Sequence, residues 1–172
     1  MRPARLSAGV RRHRAHSNTM TPERDRPTED SFTATIKLPQ SPPSVFARLK
    51  AVSKWWGGPD LAGRTAEAGD EFTVIHGDAH YSKQKLIEVI PDRRIVWLVT
   101  ESRLNWLQKN KSEWTGTRMI FDLTTEDGST RLRFTHQGLT PSKESYTRCA
   151  EGWDIVITKW LFDFISKNMP HF

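Results

Sequence analysis

The 172-residue sequence lacks the features that define several common classes of protein. Its single cysteine, Cys149, excludes an internal disulfide and indicates a reducing compartment, so we expect a cytoplasmic protein. No apolar stretch reaches the length of a membrane span. The G-x-S-x-G elbow, the HExxH helix, the Walker loop and the dinucleotide fingerprint are all missing. We therefore expect no cofactor, no bound metal and no membrane partner.

Acidic residues are absent from the first twenty positions. This segment holds five of the 26 basic residues, so 21 basic residues face 20 acidic ones in the rest of the chain. We interpret residues 1–30 as a disordered, arginine-rich leader, with Met20 as the preferred start of translation. An organelle-targeting peptide and a nucleic-acid-binding arm are the alternatives. The nearly neutral domain that follows, residues 31–168, is not expected to bind nucleic acid.

Alternating polar and apolar residues predict an antiparallel sheet over most of this domain. A first strand is predicted at residues 31–38, followed by two short helices that begin near Ser41 and end by Gly57. After these helices, short alternating runs are separated by turn residues, which is typical of strands joined by hairpins. At least six strands are expected in total.

The last part of the domain changes to a helical period. Apolar residues repeat at intervals of three and four, which predicts one helix of about two dozen residues, roughly 36 Å long. The members of this stripe are Tyr146, Cys149, Ala150, Trp153, Val156, Ile157, Trp160, Leu161 and Phe164. Helices that pack on one face of an antiparallel sheet give an α+β fold.

Several short motifs resemble those of a known superfamily when they are taken in order. They are KWW (54–56), AGDEF (68–72), VIPDRRIVW (89–97), GSTRLRFTHQGL (128–139) and EGW (151–153). From about Phe32 to Ser166 the chain resembles the START-like, or SRPBCC, superfamily, which includes birch-pollen-allergen-like proteins and polyketide cyclases. Within it, the chain is similar to the group named for the activator of the ATPase of the ninety-kilodalton heat-shock protein.

The resemblance implies a helix-grip fold, in which a curved antiparallel β-sheet wraps around a long C-terminal α-helix. It also implies a cavity, which in many members of the superfamily holds an apolar small molecule. It does not imply one function, because folds of this kind host carriers, receptors, cyclases and stress proteins.

Tryptophan is abundant, with seven residues in one small domain. This abundance predicts either an ordinary aromatic core or a cavity lined by rings, and both interpretations stay open. For the cavity, the candidate ligand-binding residues are Trp55, Trp56, Phe72, Tyr81, Trp97, Trp106, Trp114, Met119, Phe134, His136, Trp153, Ile157 and Trp160.

Three local features refine this hypothesis. Adjacent helical residues point in different directions, so we expect Trp56 beneath the first helix and Trp55 at the cavity rim, with the reverse as the alternative. Gly152 lies inside the last helix, where glycine costs about 1 kcal/mol relative to alanine. Close packing of a sheet side chain on Gly152 is preferred to contact with a ligand. The segment 103–114 is either a cover over the cavity or a plain surface loop.

The histidines suggest two kinds of site. His76, Asp78 and His80 lie within five residues, but a hairpin tip explains the aspartate, so we expect no metal. His136 shares a strand face with apolar neighbours. It is either a hydrogen-bonded core residue or a catalytic acid or base.

We therefore expect a module that binds a small hydrophobic or aromatic molecule between the sheet and the last helix. One alternative is an enzyme of the cyclase or hydrolase kind that uses His136 in the same cavity. Another is an interaction module whose partner is a chaperone ATPase.

Overall fold

The computed structural model describes residues 30–172. The predicted leader, apart from Asp30, lies outside the described residues, as does the proposed start at Met20. The domain consists of a single sheet, a short helix near its beginning and a long helix at its end.

Seven antiparallel strands form the sheet, in the order β1-β7-β6-β5-β4-β3-β2. The first strand therefore pairs with the last one, as the register from Phe32 opposite His136 to Leu38 opposite Thr130 shows. The alternating runs predicted this antiparallel sheet. The strands are β1 (Phe32–Leu38), β2 (Leu61–Gly63), β3 (Glu71–His76), β4 (His80–Ile90), β5 (Arg94–Leu104), β6 (Arg118–Glu126) and β7 (Ser129–Gln137).

The segment between β1 and β2 contains helix α1 (Pro42–Leu49) and two single 3-10 turns, Val52–Lys54 and Gly58–Asp60. Ser41 precedes α1 in an extended conformation, and the prolines at its first two positions have the fixed φ that a helix start needs. The apolar side of α1 is buried against the sheet.

The C-terminal helix runs without interruption for 22 residues. It comprises α2 (Tyr146–Ile155), a π-helical segment (Val156–Leu161) and α3 (Phe162–Lys167). Asn168 ends it in the left-handed conformation, with φ of 52°. The sequence predicted the length and the end of this helix but not the wider π turn in its middle.

The core lies between the inner face of the sheet and the two helices. Trp97 on β5 stands at its centre, stacked between Trp55 and Trp56 with ring centroids 6.0 and 5.9 Å away. Phe121 and Phe134 extend this cluster across β6 and β7. No helix within residues 30–172 has both the length and the apolar character needed to cross a membrane.

Candidate functional site

A pocket of about 540 Å³ opens between the C-terminal helix, the end of the β3–β4 hairpin and the connection from β5 to β6. Its walls are mainly aromatic. Five of the seven tryptophans border it: Trp56, Trp106, Trp114, Trp153 and Trp160. Arg148, Cys149, Gly152, Ile155 and Val156 complete the wall that the C-terminal helix contributes.

The π-helical segment lies beside the pocket. Val156 and Trp160 belong to it, and both line the opening. Single π turns inside α-helices are often found at functional sites, because the wider turn changes where side chains point. The backbone irregularity and the pocket therefore coincide.

The last residues of the sequence form another border, here called the C-terminal strap (169–172). The backbone N–H of His171 donates to the carbonyl of Lys54 over 2.9 Å, and the His171 ring stacks on Trp160 with centroids 3.7 Å apart. The ring of Phe172 lies 2.4 Å from the place where a Cβ at Gly58 would stand. Since Gly58 also has φ of 52°, only glycine fits there while the strap is in place.

The two adjacent tryptophans do point in different directions, but the preferred assignment is wrong and the reverse one holds. Trp55 is fully buried beneath α1, where its Nε1–H donates to the carbonyl of Leu49 over 3.2 Å. Trp56 lines the pocket. Trp56 contacts Trp153 across the pocket wall, with ring centroids 5.0 Å apart.

The expectation of a sheet side chain packed on Gly152 is also wrong. A Cβ built at Gly152 would meet no atom within 4 Å in the described part of the chain, apart from its two neighbours and the backbone of its own helix. Gly152 lies on the pocket wall, so the space in front of it is the pocket itself.

The segment between β5 and β6 borders the pocket through Trp106 and Trp114. Carboxylates hold it against the start of the C-terminal helix. Glu144 accepts hydrogen bonds from the backbone N–H groups of Gln108 and Lys109, at 2.6 and 3.0 Å, and these bonds lower the pKa of Glu144. The segment is therefore anchored beside the pocket.

A row of polar side chains on β4 faces the interior at the pocket. Ser82 and Gln84 are fully buried, and His80 lines the opening. The Nε2–H of Gln84 donates to Ser82 Oγ over 2.5 Å, and Ser82 Oγ lies 2.8 Å from His80 Nε2. Among residues 30–172, Gln84 Oε1 has no hydrogen-bond partner. Sequence reasoning missed this row because Tyr81, Lys83 and Lys85 make the opposite face of β4 polar as well, so alternation could not tell the faces apart.

We assign the tautomer of His80 from hydrogen-bond satisfaction. Ser82 Oγ accepts from Gln84, and His80 Nε2 is the one acceptor among the described residues within reach of the buried Ser82 hydroxyl hydrogen, so the assignment places the ring hydrogen on His80 Nδ1. Burial, together with the nearby ring of His76, lowers the pKa of His80 to about 4. His80 is therefore neutral at pH 7 and presents an N–H donor that has no partner among the described residues.

His136 is a buried, hydrogen-bonded core residue and does not line the pocket. Its Nδ1 accepts from Trp153 Nε1 over 3.0 Å, so its Nε2 carries the hydrogen and donates to Thr117 Oγ1 over 2.9 Å. Thr117 Oγ1 in turn donates to the carbonyl of Trp114 over 2.5 Å. Burial lowers the pKa of His136 to about 3. His136 thus holds two of the pocket tryptophans in position.

The other predicted site residues lie away from the pocket lining. Tyr81 is half-buried, and its hydroxyl donates to Glu101 over 2.9 Å. The remaining six are core residues: Trp55, Phe72, Trp97, Met119, Phe134 and Ile157. Their apolar character placed them correctly inside the domain, but sequence alone does not separate core from pocket wall.

The Cys149 thiol, like the His80 imidazole, is neutral at the pocket. Burial raises the pKa of the Cys149 thiol to about 11, so it is not a thiolate at physiological pH. His76 and His80 have ring centroids 5.3 Å apart. No group of three or more potential metal ligands occurs within residues 30–172.

A curved seven-stranded antiparallel sheet around a long C-terminal helix defines a domain with the helix-grip fold, as predicted. Residues 44–160 match the family described as Activator of Hsp90 ATPase homolog 1-like protein, and the chain belongs to this family. No curated protein matches the chain.

Solved structures share this architecture. The solution structure of the Aha1 dimer from Colwellia psychrerythraea has a TM-score of 0.62 and 21% identity, over 79% of this chain and 96% of that one. CalU16 from Micromonospora echinospora has a TM-score of 0.57 and 16% identity, over 81% and 78%. DynU16, a putative protein in the dynemicin biosynthetic locus, has a TM-score of 0.59 and 16% identity, over 83% and 49%. At these identities the likeness shows the fold alone.

Proposed function

We propose that the domain binds a small aromatic or apolar molecule in the pocket beside the C-terminal helix. One observation carries the proposal: five of the seven tryptophans border an opening of about 540 Å³, and the contacts that Trp153 makes with Trp56 and Trp114 leave this space open. Small-molecule sites have volumes of about 300–1,000 Å³ and mostly apolar, aromatic walls with a few polar groups. The walls described above have this character.

Gly152 supports the same proposal. Glycine inside a helix costs about 1 kcal/mol relative to alanine, and no described side chain packs against this one. A ligand site gives the glycine a role, because any larger side chain would project into the pocket.

The substitution Gly152→Phe tests the proposal. It should abolish binding of the neutral probe 2-naphthamide, measured by isothermal titration calorimetry, because the new ring occupies the pocket. The melting temperature, measured by circular dichroism, should be unchanged or higher, because the helix loses a glycine. Glu151→Phe adds the same ring at an exposed neighbouring position outside the pocket and should bind the probe like the wild type. Equal binding by wild type and Gly152→Phe contradicts the proposal.

An enzyme of the cyclase or hydrolase kind is the alternative that uses His136 as acid or base. A general base needs a free nitrogen within reach of the substrate. Both ring nitrogens of His136 are bonded inside the core, so the geometry does not support this role. Binding alone is therefore the function that we propose.

The free thiol of Cys149 fits a reducing location such as the cytoplasm.

A chaperone partner is the second candidate, favoured by the family match over residues 44–160. It predicts that the purified domain stimulates the ATPase of the ninety-kilodalton heat-shock chaperone. A steady-state ATPase assay with and without the domain measures this directly. Unchanged turnover at saturating domain concentration excludes the candidate and leaves the ligand-binding proposal intact.

A further inference from the structure

We propose that the ligand carries an anionic oxygen group, such as a carboxylate, on its aromatic body. The inference rests on the proposed binding function. It depends on two polar side chains that line the pocket from different walls: Arg148 on α2 and His80 at the start of β4.

Arg148 is the one arginine or lysine among the described residues that line the pocket, and the nearby carboxylate of Glu113, which also influences the pKa of Cys149, does not line it. The guanidinium carbon of Arg148 lies 4.7 Å from the centre of the Trp106 ring, so the cation is held at the pocket border by the face of an indole. No aspartate or glutamate lines the pocket, and no carboxylate within residues 30–172 pairs with Arg148. A cleft whose walls are apolar and whose charge has one sign favours a ligand of the opposite sign. The planar guanidinium is also suited to a carboxylate.

His80 supplies a hydrogen-bond donor. The chain of bonds from Gln84 through Ser82 places the hydrogen of the neutral imidazole on Nδ1, and this atom has no partner among the described residues. An oxygen acceptor on the ligand satisfies this donor, whereas an ammonium group would face another donor. Trp56 and Trp114 meet the imidazole edge to face, with ring centroids 6.3 and 5.1 Å away, so the ring has a defined orientation.

The other lining groups do not change this balance. The Cys149 thiol is protonated at neutral pH, and burial lowers the pKa of His76, which favours its neutral form. The ligand class that fits is therefore an aromatic acid. Its rings would lie among the indoles, and its charge would face Arg148.

Three probes of matched shape test the inference by isothermal titration calorimetry at pH 7.5: 2-naphthoate, 2-naphthamide and 2-naphthylmethylammonium. Naphthoate should bind about threefold to fivefold more tightly than naphthamide, the size of effect expected for a partly exposed ion pair. The ammonium probe should bind more weakly than both.

Two substitutions separate the roles of the two groups. Arg148→Gln should remove the preference for naphthoate over naphthamide and leave naphthamide affinity unchanged. Arg103→Gln makes the same charge change at an exposed position outside the pocket and should keep the preference. His80→Phe should weaken the binding of 2-naphthoate and of 2-naphthamide about fivefold to tenfold, because it removes a hydrogen bond that the oxygen of each probe accepts.

The outcomes distinguish this inference from the proposal beneath it. If all three probes bind equally well to the wild type, or if Arg148→Gln keeps the preference, the pocket binds aromatic molecules but the anionic class is wrong. If no probe binds, both fail. Because Arg148 is exposed, its variant tests the inference even if His80→Phe does not fold.

Discussion

At the scale of single residues, His136 connects the core to the pocket. It accepts a hydrogen from the indole of Trp153 and, through Thr117, holds the backbone of Trp114. His136→Phe keeps a ring of similar size but leaves the Trp153 N–H without its acceptor and removes the donor to Thr117. Each buried unsatisfied group costs about 1–3 kcal/mol, so we expect a loss of about 3 kcal/mol in the free energy of unfolding. Urea unfolding followed by circular dichroism measures it.

The same substitution reports on positioning as well as stability. His136→Phe should also weaken the binding of 2-naphthamide, because two tryptophans of the pocket lose the hydrogen bonds that hold them. His136→Gln retains one acceptor and one donor in its amide, and should lose clearly less stability and less affinity than His136→Phe. Equal losses in the two variants would show that ring volume, and not hydrogen bonding, is what His136 provides.

The position of a side chain could be predicted from the sequence where one local rule determined it. Alternation put His136 on the inner face of β7. Trp55 and Trp56 do have different surroundings, but they follow the 3-10 turn Val52–Lys54 and do not themselves lie in a helix. Prediction failed where two arrangements satisfied the same local rule. Which indole faces the pocket depends on the bond from Trp55 to Leu49 and on the packing of α1, and neither is encoded in the two residues themselves.

At the scale of elements, the C-terminal strap controls one border of the pocket. Phe172→Ala removes the ring that lies against Gly58 and weakens the cluster that the strap rings form with Trp160. Aromatic contacts of this kind contribute about 0.5–1.5 kcal/mol each. We therefore expect the free energy of unfolding to fall by about 1 kcal/mol. Removal of the ring also widens the opening, so 2-naphthoate should associate and dissociate faster in stopped-flow measurements.

Met169→Ala is the matched control for this experiment. Met169 belongs to the same strap but is 59% exposed and does not line the pocket. Its substitution should leave both rate constants unchanged. Identical kinetics in wild type and Phe172→Ala would show that the strap does not limit access.

The elements themselves were predictable to different degrees. The sheet and the C-terminal helix follow from clear periods of two and of three to four residues. The π-helical segment cannot be predicted in this way, because a single wider turn leaves the pattern of apolar residues almost unchanged. The stop signals after Lys167 mark the end of the helix but carry no information on where the strap goes, because its contacts with Lys54 and Gly58 are distant in sequence.

At the scale of the whole molecule, the domain divides into a packed end and an open end. Trp55, Trp97 and Phe121 fill the interior near α1, whereas the indoles beside β4 and α2 border a pocket. Trp97 Nε1 has no hydrogen-bond partner among residues 30–172, which is a cost of so aromatic a core. The two histidines in and next to the pocket wall are neutral, and this makes the stability of the whole domain depend on pH.

The pKa values of His80 and His136 in the folded protein are about 4 and about 3, below the ordinary value of 6.5. Between these values and 6.5 the unfolded chain binds more protons than the folded one, so stability is complete above this window and falls as the pH falls through it. For His136 alone, the free energy of unfolding should drop by about 2 kcal/mol between pH 7.5 and 5. The pKa values of Asp70 and Glu144 are lowered from ordinary values of 3.8 and 4.5, so their own losses occur mainly below this range.

Urea unfolding of the wild type and of His136→Gln at pH 7.5 and 5 measures the contribution of His136. The variant has no titratable group at this position, so its stability should fall by about 2 kcal/mol less than that of the wild type over the same interval. Its remaining decrease reports His80 and His76, whose pKa values are lowered in the same direction. Equal decreases in the two proteins would mean that His136 takes up a proton in the folded domain. The imidazole could not then remain the acceptor of the Trp153 indole, and the support that it gives the pocket would be lost on acidification.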